Sequence, residues 1–210
     1  MNISKFLLID LVIAISIVQL LFLIQGKKSS FHFLRNFNKE NPLINTSIKL
    51  PDKEELIELE KIAENQGSGI EFDSLIGNWK FISVWKKNIY EEEPIFSPLL
   101  RLFSANMKLK KESLTSTRTS NEYCFISSIQ FGLLTMEFSG SSWLKGKQPL
   151  LTFFLNLIEL KLGSNKLLSR SIKGSKDKEK SFFALIALEE NCKWLSARGQ
   201  SGAVVIWVKD

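Results

Sequence analysis

Side chains able to do acid–base or nucleophilic work are few and scattered in this chain. His32 is the only histidine among 210 residues, and it lies in an asparagine- and serine-containing stretch without a clear period. A lone imidazole in such a place reads as inert. Its isolation excludes a Ser-His-Asp or Cys-His relay, because each needs an imidazole beside the nucleophile, and it excludes histidine-based metal sites. The sequence has no GxSxG, P-loop, GxGxxG after a strand or HExxH. Ser141 and Ser142, in "GSSW", have no histidine partner to activate them. Cys124 is a nucleophile only if its neighbours lower its pKa. Cys124 and Cys192 lack CxxC spacing and read as two reduced, partly buried thiols rather than a bridge. Glu137 and Glu159 fall in strand-like segments and read as outward residues, with polar groups inside a cavity as the other reading. No catalytic residue, metal ligand or cofactor is expected, and the chain reads as a non-enzyme.

The cations are more concentrated. The net charge is +6 and the pI about 9.2. One basic run is "KLKKE" near 108–112. The other, at 165–181, places Lys166, Arg170, Lys173, Lys176, Lys178 and Lys180 against only Asp177 and Glu179. Both runs read as hairpin ends. A solvated hairpin is the plain reading. Beside an anionic leaflet each basic residue contributes about 1 kcal/mol, so the second run is a candidate membrane-surface contact. Aromatic residues do not interleave with these lysines as stacking platforms, so nucleic acid is not an expected partner.

The elements that carry these residues start with an apolar run, "FLLIDLVIAISIVQLLFLIQ", from Phe6 to Gln25. As a helix it spans roughly 30 Å, the hydrocarbon thickness of a bilayer. Asp10, Ser16 and Gln19 scatter around it, which argues against an amphipathic surface helix. The large residues before Gly26 make a poor cleavage site, so residues 1–28 read as a membrane anchor or uncleaved signal. Residues 29–50 read as a linker and 51–210 as the folded domain.

That domain opens with "PDKEELIELEKIAENQGSG". Asp52 is a candidate N-cap with Glu55 three residues on, as in a capping box. Leu56, Leu59, Ile62 and Ala63 make an apolar stripe, and Gly67 and Gly69 end the helix. Glu54, Glu58, Glu60 and Glu64 read as its solvated face. After Gly77 the period changes to two. Strands are expected at 78–86, 106–111, 113–120, 122–131, 133–139, 150–161, 166–173, 181–189, 192–198 and 203–209, with a helical turn near 97–106. Phe131-Gly132, Ser139-Gly140-Ser141 and Gly199-Gln200-Ser201-Gly202 are the expected turns. Short antiparallel strands without βαβ alternation mean a barrel or sandwich. The strands at 150–161 and 203–209 are apolar on both faces. The helix at 52–65, a membrane or a partner must therefore cover the outer wall.

In "DSLIGNWKFISVW" a G-x-W opens the first strand behind a helix, and "WLSARGQSGAVVIWVK" closes the chain. The pair resembles the plastid lipid-associated protein family, or fibrillins, of plastids and cyanobacteria. Leu75, Gly77, Trp79, Arg198, Gly199 and Gly202 match, and the resemblance covers roughly 52–210. Gln200 stands where the family commonly has an acidic residue, and the leader is not a general family feature. The resemblance implies a mainly β fold, an antiparallel lipocalin-like β-barrel, behind the amphipathic helix; the transmembrane-like N-terminal helix, read from the apolar run, precedes both. It implies barrel closure by Gly77, Trp79 and an arginine over the indole, for which Arg198 is the candidate. It implies association with a thylakoid-type or inner membrane of a cyanobacterial-type cell, and binding of a lipid, isoprenoid or quinone.

Strand parity selects Phe81, Trp85, Phe125, Phe131, Phe138, Phe153 and Phe183 as candidate ligand lining. Few polar groups accompany them, which favours an apolar small molecule. The alternative is a structural or assembly factor with a filled barrel that binds a membrane-protein partner. A bilin-lyase-like chromophore handler is a third reading, opposed by the lack of histidine in the barrel.

Overall fold

The computed structural model describes residues 48–86, 91–111, 122–172 and 181–210. The apolar run 6–25, residues 29–47 of the linker with His32, the expected strand at 113–120, and Lys173, Lys176, Lys178 and Lys180 all lie outside the described residues. Among the described residues, no helix is long and apolar enough to cross a membrane.

Helix α1 (Lys53–Gln66) starts where expected, with the Asp52 carboxylate accepting the Glu55 N–H at 2.9 Å. Gly67 ends it, donating its own N–H to the Ala63 carbonyl. The buried stripe is Leu56, Glu60 and Ala63, with Leu59 half-buried, while Ile62 faces solvent. At ~100° per residue Ile62 lies about 120° from that stripe, so Glu60 takes the inward place. Glu54, Glu58 and Glu64 are exposed as expected, but Glu60 is not. A one-turn helix, α2 (Phe72–Leu75), then leads into β1 (Gly77–Trp85).

Helix α3 (Phe96–Leu102) joins β1 to β2 (Asn106–Lys111). Two hairpins follow: β3 (Tyr123–Phe131) with β4 (Leu134–Lys145), and β5 (Leu150–Leu162) with β6 (Asn165–Ser171). The last three strands are β7 (Ser181–Leu188), β8 (Trp194–Gly199) and β9 (Val204–Lys209). These bounds follow the expected segments closely, except that β4 runs straight through Ser139-Gly140-Ser141. That glycine serves a bulge rather than a turn. Asn156 is an extra residue of β5 opposite Ser139 and Gly140, which brings the β5 backbone close. A Cβ at Gly140 would stand 1.8 Å from the Phe154 carbonyl oxygen.

All nine described strands pair antiparallel. Eight of them, in the order β1-β2-β3-β4-β5-β7-β8-β9, close into a barrel-like ring when β9 pairs with β1. β6 stands outside the ring and pairs with β5 alone among the described strands. The ring's inner side holds the main core, including Trp79, Phe81, Leu109, Phe125, Leu151 and Leu195. On its outer side Leu56 of α1 packs with Ile186, Val204 and Ile206. The last strand is apolar on both faces for this reason: Val205 and Trp207 face inward, and Val204 and Ile206 face the helix. Burying each such side chain contributes about 1.5–3 kcal/mol.

Candidate functional site

One end of the ring is plugged by the L-x-G-x-W residues acting together. Trp79 is fully buried, and its Nε1 donates to the Leu75 carbonyl at 2.7 Å. Phe72 of α2 stacks on Tyr123 beside it. The cation over the indole is Lys209, the cross-strand partner of Trp79, whose Nζ lies 5.1 Å from the ring centroid. Gly77 makes room for it. Its φ is +143°, and a Cβ there would meet the Lys209 Cε at 2.7 Å.

Arg198 does not fill this role. It pairs with Val204, and Val204 pairs with Trp85. Arg198 is therefore level with Trp85, six residues along β1 from Trp79, about 20 Å at strand rise. Its guanidinium forks instead onto both carboxylate oxygens of Glu60 and donates to the Gly202 carbonyl. Arg198 is thus a latch between α1 and the β8–β9 turn. The sequence hides this pair because Glu60 looks like one more helix-surface carboxylate. The signal is its place three and four residues from Ala63 and Leu56.

The seven candidate lining residues divide. Phe81, Phe125, Phe153 and Phe183 meet inside the ring. Phe125 stacks on Phe153 at 4.3 Å, Phe153 on Phe183 at 5.4 Å, and Phe183 meets Trp207 edge-on at 5.2 Å. They fill that stretch with one another. Trp85 is turned the other way. A bulge between Phe81 and Ser83 reverses parity, so Trp85 packs in the cluster beneath α1, its Nε1 donating to Ser83 Oγ. It is not a lining residue. Phe131 lies at the β3–β4 turn, edge-on to Phe103 at 5.8 Å.

Phe138 belongs to a surface that composition alone does not reveal. β7 pairs with β5 only from Leu150 to Phe153, and from Leu157 onward the same edge of β5 pairs with β6. The strands β3 to β6 therefore continue beyond the closed ring as a flap. Register carries the ring's inner side onto that flap. Phe125 and Leu155 both oppose Gly140, and the Asn156 bulge then brings Ile158 and Leu160 onto the side of Phe138 and Met136. Ile129, Met136, Phe138, Ile158 and Leu160 make a half-buried apolar wall on the same side of the sheet as the core. Ser127, opposite Phe138, and Arg170, opposite Ile158, share this side, so the wall is an apolar surface with two polar side chains on it, suited to a chain- or ring-like apolar molecule.

The opposite side of the flap is polar. Glu137 and Glu159 face one another across β4 and β5 on the side away from the wall, where Glu137 is half-buried and Glu159, expected to be exposed, is buried beneath Lys161 and Lys166. Lys161 bridges them at 3.1 and 3.3 Å. The Lys166 ammonium beside Glu159, with help from Lys161 and the Ser169 hydroxyl, holds its carboxyl below the ordinary range against the cost of burial. Hydrogen bonding to Glu137 raises Lys161 against desolvation. These pairs stabilise the flap and present no reactive group to the wall. Cys124 and Cys192 are not bridged to each other. Among the described residues, no three His, Cys, Asp or Glu side chains converge as metal ligands. A shallow concavity of about 490 Å³ on the outside of α1 is lined by Glu54, Ile57, Glu58 and Lys61, three charged residues to one apolar.

Compared with models of known protein families and with curated protein sequences, the chain matches none.

Proposed function

We propose that this protein is a membrane-associated, lipocalin-like carrier that binds a lipid, isoprenoid or quinone on the flap wall rather than deep inside the ring. The observation that carries the reading is the continuation of the core's inner side, through Met136, Phe138, Ile158 and Leu160, past the point where β7 leaves β5. An apolar surface that is half-buried and open at one side is costly to leave in water, and such surfaces mark binding sites. The resemblance of Leu75, Gly77, Trp79, Arg198, Gly199 and Gly202 to the plastid lipid-associated family supports the same ligand class. In that reading the apolar segment at 6–25 tethers the carrier at a photosynthetic-type membrane, and the chemistry is non-enzymatic.

The test is titration with a fluorescent long-chain fatty acid. Saturable binding that weakens at least tenfold in Met136→Glu and Leu160→Glu, with the fold retained, supports the reading. Binding unaffected by both substitutions sinks it.

The aromatic contacts from Phe125 to Trp207 favour a second reading, an assembly factor whose ring is a solid scaffold. A stoichiometric membrane-protein partner captured from detergent extracts, together with no apolar ligand, would select it.

A further inference from the structure

One row of side chains crosses the sheet from the core to the free edge of the flap. Trp79 opposes Met107, Met107 opposes Ser127, Ser127 opposes Phe138, Phe138 opposes Ile158, and Ile158 opposes Arg170. Opposed residues share one side of an antiparallel sheet, so the whole row projects from the ring's inner side. Burial falls steadily along it. Trp79 and Met107 are buried, Ser127, Phe138 and Ile158 are half-buried, and Arg170 on β6 is exposed.

The wet end of that row carries a charge with no acidic neighbour. Strands β3 to β6 contain two carboxylates, Glu137 and Glu159. Both lie on the other face, where Lys161 and Lys166 take them up. A guanidinium stays charged at every physiological pH, and its planar fork of donors fits a carboxylate or a phosphate. Next to it Ile158 and Phe138 offer only hydrocarbon. A surface with one fixed cation at its solvent edge and an apolar floor leading inward is complementary to a molecule built of the same two parts.

We propose that the ligand held on the wall is an anionic amphiphile, its carboxylate or phosphate head on Arg170 and its apolar chain lying over Ile158 and Phe138 towards β3. From β6 to β3 the row crosses three interstrand gaps, about 14 Å at ~4.8 Å each, a span that suits a long chain. A neutral isoprenoid or quinone gains nothing from the guanidinium. This inference rests on the carrier reading and narrows its ligand class: the wall must hold an apolar chain before its edge can choose the head.

The experiment titrates the full-length protein with three pyrene-labelled probes of equal chain length: a fatty acid, an alkyl phosphate and a fatty alcohol. The acid or the phosphate is expected to bind about tenfold more tightly than the alcohol, the weight of one charge-assisted hydrogen bond, and the tighter of the two identifies the head. Arg170→Gln should abolish that preference and leave alcohol binding unchanged. Arg170→Lys should keep part of it, and added salt should weaken it. Lys147→Gln also removes one positive charge, from the exposed β4–β5 turn, and should leave the preference intact. Equal affinities for all three probes overturn the proposal and leave the carrier standing; an arginine that only guards the β6 edge against strand pairing gives that result. A preference that survives Arg170→Gln overturns it too. A preference lost equally in Arg170→Gln and Lys147→Gln reports overall charge and likewise overturns it. Failure of all three probes to bind saturably sinks the carrier reading itself and takes this proposal with it.

Discussion

Replacing Arg198 with alanine should be among the most damaging single changes in the described chain. Glu60 is only 4% exposed, and the guanidinium satisfies both of its oxygens. Removing one partner of a buried ion pair costs about 3–5 kcal/mol, because the remaining charge stays out of water. The Gly202 carbonyl also loses its donor, worth about another 1 kcal/mol. Against a total stability of roughly 5–15 kcal/mol, the variant should be close to unfolding. Urea denaturation followed by tryptophan emission reads this directly. With a slope of about 2 kcal/mol/M, the midpoint should fall by roughly 2–3 M. Arg198→Lys keeps the charge but loses the fork, and should cost about 1–2 kcal/mol. The double variant Glu60→Leu/Arg198→Met should recover most of the loss, since an apolar pair of similar volume replaces a buried ion pair at little cost. A loss under about 1 kcal/mol, or a double variant no more stable than Arg198→Ala, refutes this. An arginine that merely stacked on Trp79 would cost only ~0.5–2 kcal/mol and would disturb that indole's emission.

Three further outcomes are expected. Trp79→Phe should cost about 2 kcal/mol by calorimetry, through the lost Nε1 bond to Leu75 and the weaker platform for Lys209. Gly140→Ala should cost about 3 kcal/mol or more in the same assay, because its Cβ meets backbone that cannot swing aside. Acid should destabilise the fold through Glu159 and Asp210, which are held below the ordinary carboxylate range chiefly by hydrogen bonds from Lys166 and Lys80. Their contribution is present above the unfolded carboxylate values near ~4 and is lost as pH falls through the lower folded ones. Urea midpoints measured from neutral pH downward should drop below that value, and Glu159→Gln should flatten part of the drop.

Strands were legible because alternation is a local property. The run from Asn78 to Phe81 shows period two in its own residues, and the run from Val204 to Val208 is a β-branched, apolar stretch behind a glycine turn. The Asp52 cap is equally local. What could not be read was whatever depends on pairing between distant strands. Trp85 follows Trp79 at an even spacing and so reads as its neighbour on one face, until a bulge at Ile82 turns it outward. Gly140 between two serines reads as a turn, and only the extra residue in β5 shows it to be a point of close approach. The partner of Trp79 was expected among the cations of the last hairpin, where register and not composition selects Lys209 over Arg198. Phe138 lies on the wall, whose extent depends on where β7 hands the edge of β5 to β6.

The most direct test of the carrier reading is photolabelling with a diazirine-bearing fatty acid, with labelled peptides located by mass spectrometry. Label is expected on Ile129–Phe138 and Leu155–Leu160, displaced by excess unlabelled fatty acid. Label confined to the outer surface of α1, or label that no competitor displaces, would contradict it.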